Sequence, residues 1–420
     1  MSSSPRSRQV LAVALASVVA VPVAVLLPRA RAAFRGLPQA LGASTRAVLS
    51  SLPSDSAAPA DERRYESDHH SGRSFHNRQR SHTLTPADVP RLLRSFRGRG
   101  PVGSPIGPVQ VVTPEIRDRT QGLAVTWLGH ASALVEIDGT RILFDPVVES
   151  RVSPSAQIGP RRLHRAPLTA AELPAVDAVV ISHDHYDHLE SSTIRDLAQR
   201  TACRFIVPLG IGSHLRRWGV PADRIDELDW DAAVRVGGVT LTCTEARHFS
   251  GRFVRRDATL WSSWAVAGPR HRVFFGGDTG YTPSFGRTGA LFGPFDLTIL
   301  PIGAYHPAWQ DIHMNPEEAL RAHGDLGGTA LLPIHWATFD LALHSWDEPI
   351  ERLLRGAAES PEATGRGPVV IGTPRPGQRW DLTDDVPRDD WWRAVAPAGG
   401  AHSRPSTIAD PADDTARPGR

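Results

Sequence analysis

Lysine is absent from this 420-residue chain, so all 47 of its basic residues are arginine. Arginine favours bidentate contacts with phosphate and carboxylate, but beside 36 glycines, 36 prolines and abundant alanine the bias reads as the coding preference of a GC-rich genome. Only two cysteines occur, Cys203 and Cys243. That excludes a disulfide framework and a cysteine-ligated structural zinc site. Acids number 45 and the formal net charge is +2, so nothing marks a dedicated nucleic-acid binder. A Gly-x-Ser-x-Gly element is also missing, which removes the nucleophile elbow of serine hydrolases. No repeat at a fixed period is visible.

What is present divides the chain into four parts. Val10 to Leu27 is an uncharged apolar run, long enough for a marginal membrane span. Residues 1–35 are therefore expected to anchor the protein at a membrane; export after cleavage at the Ala30-x-Ala32 pattern, or a cytoplasmic protein, are the alternatives. Residues 36–117 are rich in Arg, Pro and Ser and lack sustained apolar periodicity, as a linker or wrapping arm does. Their charge suits a membrane surface with anionic headgroups. Residues 118–392 form the ordered domain, and the Pro/Ala/Asp-rich tail 393–420 is expected to be disordered.

Within the domain, short β-rich runs recur: LAVTWL (123–128), ALVEI (133–137), RILF (141–144), AVVIS (178–182), RFIV (204–207), VTLTCT (239–244), RVFFGG (272–277), LTILPI (297–302) and ALLPI (330–334). The Asp-Gly in EIDGT is a hairpin signal. Helical patterns lie between the strands, at 189–200, 315–324 and 347–355. Asn315 suits an N-cap and Pro316 a first helical turn. Strands with interposed helices indicate layered α/β packing.

The chemistry concentrates at the ends of those strands. His183, His185, Asp187 and His188 follow AVVIS; His248 follows VTLTCTEAR; Asp278 follows RVFFGG; His335 follows ALLPI. A lone His248 or His335 would read as a hydrogen-bonded structural residue, and Asp278 as a turn residue. The His-x-His-x-Asp-His spacing changes that reading. Residues two apart in an extended loop point the same way, so His183 and His185 converge while Asp187 and His188 address a second position. Seven donors exceed one tetrahedral site and suit two ions with a bridging carboxylate, and His/Asp donors suit zinc, iron or manganese. Asp145 reads as a turn or ligand-supporting residue, and His130 either lines the site or satisfies buried backbone. Asp184 and Tyr186, interleaved with the donors, are expected to point away. Trp261 and Trp264 read as core.

This motif, with distant His, Asp and His, resembles the metallo-β-lactamase superfamily. The blocks TWLGHASALVEIDGTRILFDP, LWSSWAVAGP, FFGGDTGY, FGPFDLTILPIGAY, HMNPEEA and IHWATFDLA resemble its N-acylphosphatidylethanolamine-hydrolysing phospholipase D group. The resemblance runs from about Val125 to Pro349, with a weak echo at Phe75–Asn77. It implies an αββα sandwich of two mixed sheets flanked by helices, with a dinuclear site at one edge. It further implies one zinc held by His183, His185 and His248, a second by Asp187, His188 and His335, and Asp278 bridging. Asp187, Asp278 and His313 would be the catalytic residues, with metal-activated water attacking the phosphorus of a phospholipid or other phosphodiester. A homodimer is implied too. AYHPAWQDI departs from the group's pattern just before His313 and bears on substrate identity. The rival classes are a hydrolase of another ester, such as a lactone or soluble phosphodiester, and a non-catalytic metal-binding envelope protein. A flavodiiron oxidoreductase is disfavoured because His185 stands where those proteins carry Glu and no flavin domain is visible.

Overall fold

The computed structural model describes residues 37–53, 67–81, 90, 102–155, 157–252, 256–359 and 368–396. Strands β1 (His70–Ser71) and β2 (Ser74–Phe75) make a small upstream hairpin. Fourteen further strands among the described residues form two seven-stranded sheets. The first contains β3 (Leu123–Gly129), β4 (Ser132–Ile137), β5 (Thr140–Phe144), β6 (Ala178–Val180), β7 (Arg204–Pro208) and β8 (Ile225–Leu228), in that spatial order, with β16 (Arg379–Asp381) beside β3. The second runs β15 (Val370–Ile371), β14 (Ala330–Ile334), β13 (Leu297–Pro301), β12 (Arg272–Phe275), β11 (Ser263–Ala267), β10 (Val239–Thr244) and β9 (Ala233–Val236). Both sheets are mixed. β3 to β5 are antiparallel while β5 to β8 are parallel, and β12 to β15 are parallel while β9 to β12 are antiparallel. The β4–β5 turn is the expected Asp-Gly hairpin: Asp138 and Gly139 have φ of 48° and 83°, the left-handed pair a type I′ turn requires.

The continuous apolar runs follow from burial on both faces. Val180 and Ile206 face the second sheet, where Phe144 stacks on Phe275 with ring centres 4.5 Å apart. Val179, Ile181, Phe205 and Val207 face outward onto α3 (Ser191–Arg200) and α4 (Gly212–Arg217), whose Ile194, Leu197 and Leu215 are buried there. Leu197→Ala would cost about 2–5 kcal/mol as a core truncation. On the far side, α5 (Ser284–Phe292), α6 (Pro316–Asp325) and α7 (Glu348–Glu359) cover the second sheet through Phe285, Ala319, Leu320, Ile350 and Leu353. Helix, sheet, sheet, helix is the layer order that the resemblance implies. Trp261 and Trp264 are core residues, and Trp264 Nε1 donates to the Ile181 carbonyl at 3.0 Å, tying the two sheets together.

Upstream pieces also pack on this body. α1 (Leu37–Leu41) and α2 (Thr45–Ser51) lie against the α4 region, and Leu52, Phe75 and Val109 are buried in the main core. No helix among the described residues is long and apolar enough to cross a membrane. The expected membrane attachment is corrected on that finding: Val10–Leu27 and the Ala30-x-Ala32 pattern lie outside the described residues, and no described helix provides a span. Most of the tail read as disordered also falls outside them; Arg393–Val395 make one short 3₁₀ turn.

Candidate metal centre

Six strand ends, three from each sheet, deliver polar side chains to one edge of the sandwich. His130 follows β3, Asp145 follows β5, and His183 to His188 follow β6; His248, Asp278 and His335 follow β10, β12 and β14. His130, Asp145 and His335 have positive φ of 54°, 39° and 63°. Non-glycine residues rarely adopt that conformation, and it gathers where the surrounding structure forces it. Gly277 (φ 58°) precedes Asp278, and a Cβ there would sit 2.5 Å from Ser182 Cβ. Only glycine lets β12 bring Asp278 this close to the β6 loop.

The donor atoms form groups within 4.8 Å of one another. His183, His185, His248 and Asp278 make one group; His130, Asp187, His188 and His335 make a second; Asp278, His313 and His335 make a third. Asp278 lies between them. Its Oδ2 is 3.9 Å from His183 Nε2, 3.8 Å from His248 Nε2 and 3.1 Å from His188 Nε2, while its Oδ1 is 3.1 Å from His335 Nε2. The structure thus brings all seven proposed ligands together. His313 joins them, with Nδ1 3.9 Å from Asp278 Oδ2.

The orientation of the rings is set from behind. Asp145 is fully buried; its Oδ2 is 2.7 Å from His188 Nδ1 and accepts from Ser182 Oγ, while its Oδ1 accepts from the Ser182 N–H at 2.7 Å. His248 Nδ1 faces the Ile312 carbonyl at 2.8 Å, which makes Nδ1 the donor and leaves the Nε2 lone pair for a cation. His130 Nε2 is 2.9 Å from Asp187 Oδ2, and its backbone carbonyl accepts the N–H of His335. His130 is therefore built into the second group. Asp184 and Tyr186 do point away: Asp184 accepts from the Gly251 N–H at 2.7 Å, and the Tyr186 hydroxyl donates to the Arg252 carbonyl at 2.5 Å.

Sequence reasoning missed Arg252. Its guanidinium is buried over the Tyr186 ring and donates to the carbonyls of Asp184 and Leu189, both at 2.7 Å, and to Ala40 of the upstream segment. It clasps both ends of the histidine loop. Because its contacts are to backbone, no side-chain pattern announces them.

The electrostatics fit cations. His188 Nε2, His335 Nε2, His335 Nδ1, Asp278 Oδ1 and His313 Nδ1 are buried without a hydrogen-bond partner among the described residues. Such orphaned groups are costly unless something pairs with them. Burial opposes ionisation of Asp278, yet the neighbouring His188 and His335 hold its carboxyl well below the usual range; His188 likewise holds down Asp187. Conversely, burial lowers His335 but Asp278 and Asp187 outweigh it and raise the ring to about 9. Burial, reinforced by His188 and His185, pushes His183 well below its ordinary value. Burial lowers His188 too, but Asp278 and Asp187 outweigh it and raise it well above its ordinary value, so the carboxylates draw positive charge here of the kind bound cations would supply. The donors are nitrogen and oxygen only, a borderline-to-hard set that suits zinc, iron or manganese.

The mouth of the site is narrow. The Asp187 side chain is 17% exposed and that of His313 13%, whereas Asp278 is 2% exposed. A small pocket lies beside His335, lined by Trp336, Phe339, Asp340, Leu341, His344 and Trp346. His313 precedes α6 without capping it; Asn315 does that, accepting from the Glu318 N–H at 2.9 Å while Glu318 returns the bond.

A family model described as "Beta-lactamase superfamily domain" matches residues 140–336, the span that holds all seven donors. An uncharacterised protein of Mycobacterium tuberculosis is 53% identical over 315 residues, covering 74% of this chain and 83% of that one. The "N-acyl-phosphatidylethanolamine-hydrolyzing phospholipase D 1" of Caenorhabditis elegans is 34% identical over 292 residues, 66% of this chain and 81% of that one. Among solved structures, "a possible metal-dependent hydrolase" of Veillonella parvula superposes with a TM-score of 0.50 at 17% identity, over 62% of this chain and all of that one, a likeness of fold alone. The chain belongs to the metallo-β-lactamase superfamily of metal-dependent hydrolases, in the family that includes the nematode phospholipase.

Proposed function

We propose that this protein is a dinuclear phosphodiesterase that removes the headgroup of a glycerophospholipid, with a phospholipase D outcome. The observation that carries the reading is the Asp278 carboxylate, which lies between two groups of nitrogen and oxygen donors: Oδ2 is 3.9 Å from His183 and 3.8 Å from His248, while Oδ2 is 3.1 Å from His188 and Oδ1 3.1 Å from His335. His183, His185 and His248 would hold one zinc ion, Asp187, His188 and His335 the other, with Asp278 shared. When bound, such a pair supplies the positive charge that eases deprotonation of water and offsets the charge of a phosphoryl transition state. The choice of a phosphodiester rests on the kinship with the nematode phospholipase.

The remaining roles follow from position. Asp187, at the mouth, would accept a proton from the attacking water. As the new P–O bond forms, the bond from phosphorus to the headgroup alcohol breaks and that oxygen takes a proton, leaving phosphatidic acid. Burial holds His313 at about 4, so its ring is neutral near pH 7 and would bind a phosphoryl oxygen by donating a hydrogen bond. The test is a panel of phospholipids, soluble phosphodiesters and lactones incubated with purified protein, with and without added zinc, and read by mass spectrometry. Zinc-dependent release of an amine alcohol and phosphatidic acid is expected. Turnover confined to lactones would overturn the reading.

A further inference from the structure

One upstream side chain grips the backbone of a proposed zinc ligand. Asn77 precedes His248 by 171 residues, yet its Nδ2 donates to the His248 carbonyl at 2.8 Å while its Oδ1 accepts from the His248 N–H at 3.1 Å. The two bonds close around both peptide groups of one residue, as an adjacent antiparallel strand would. Asn77 is itself braced, because Oδ1 also accepts from Nε1 of the buried Trp261 at 2.9 Å. The preceding residue extends the grip: Arg247 donates to the Arg80 carbonyl at 2.5 Å and to Ser81 Oγ at 3.2 Å. Further back, His69 stacks on Trp230 at 4.3 Å with its ring nitrogens 2.6 Å from Asp68 and 2.7 Å from Asp229, and Phe75 is buried. With Ile312 holding Nδ1 of the ring, these contacts fix both the backbone and the rotation of His248.

We infer that Asn77 is a positioning residue for His248 and that residues 69–81 are a working part of the metal centre. The inference rests on the proposed reading of His248 as a ligand. A backbone clamp narrows the directions in which Nε2 can point, and supports of this kind typically change metal affinity by about 10–100-fold. Linkage makes the effect reciprocal: if the clamp favours the metal, the metal favours the clamp.

The test uses the full chain. Zinc affinity is measured by chelator competition for the wild type, Asn77→Ala, and the control Asp68→Ala, which loosens the same segment at His69 and Arg78 while leaving the side-chain bonds of Asn77 and Arg247 in place. Amide exchange over residues 69–81 is followed in the wild type before and after zinc is stripped. Asn77→Ala should weaken one of two zinc ions about 10–100-fold and spare the other. Asp68→Ala should keep both, and stripping zinc should quicken exchange in 69–81, with zinc restoring it. Unchanged affinity at both sites in Asn77→Ala, an equal loss in Asp68→Ala, or exchange indifferent to zinc would overturn the inference. If Asn77→Ala does not fold, the exchange measurement decides alone. A wild-type chain that binds no zinc would instead overturn the metal-centre reading beneath it.

Discussion

The two halves of the candidate centre are held from opposite sides. The group of His183, His185 and His248 contains only imidazoles besides the shared Asp278, and its His248 is fixed by Asn77 and Ile312, which lie outside the two sheets. The group of Asp187, His188 and His335 is fixed from within, by Asp145 at the end of β5 and His130 at the end of β3. One half depends on chain segments far away in sequence, and the other on the first sheet itself. The proposed dinuclear site is therefore supported by two sets of contacts that meet at Ser182, whose Oγ donates to Asp145 and lies 2.9 Å from His183 Nδ1.

The largest effect is expected where the halves meet. Asp278→Ala should lower occupancy of both metals by elemental analysis. It should also cut hydrolysis about a thousand-fold or more, because several kcal/mol of transition-state charge stabilisation are lost with the ions. Retention of two metals in that variant would remove Asp278 from the shared position and dissolve the comparison.

His313→Ala should come next. It contacts neither half through a hydrogen bond, so metal content should stay at the wild-type value while the rate falls roughly 100-fold, a typical loss for an electrostatic or acid–base contributor. His313→Gln should recover part of the rate if donation of a hydrogen bond suffices. Normal turnover of a phosphodiester by the alanine variant would take His313 out of the chemistry.

The smallest effect sharpens the asymmetry. Asp145→Asn should weaken chiefly the ion held by Asp187, His188 and His335, by about 10–100-fold, since Asp145 is the direct partner of His188 and reaches His183 only through Ser182. Equal weakening of both ions would show that the halves are not independently supported.

How much of this was legible before folding depended on whether the contact left a trace in residue type. His183 to His188 sit in one short stretch after an apolar strand, so their convergence could be read from spacing. His248, Asp278 and His335 were legible because each closes a β-rich run, and the layered architecture followed from those same runs. Strands β8 and β9 escaped because they are only four residues each and lie half exposed at sheet edges. β16 is three residues, Arg-Trp-Asp, placed beside β3 only by long-range pairing. Asn77 and Arg252 were illegible for a different reason: they bond mainly to backbone carbonyls and N–H groups, which every residue carries. His130 and Asp145 stood between these cases, visible as polar residues at strand ends and ambiguous until their partners were seen.

The central claim is that two ions share Asp278 and that both are needed. The most direct measurement adds zinc stepwise to metal-stripped full-length protein, recording bound zinc per chain alongside hydrolysis of a phosphodiester. The account predicts two zinc ions per chain, with full activity appearing only as the second binds. Full activity at one zinc per chain, or saturation at one, would contradict it.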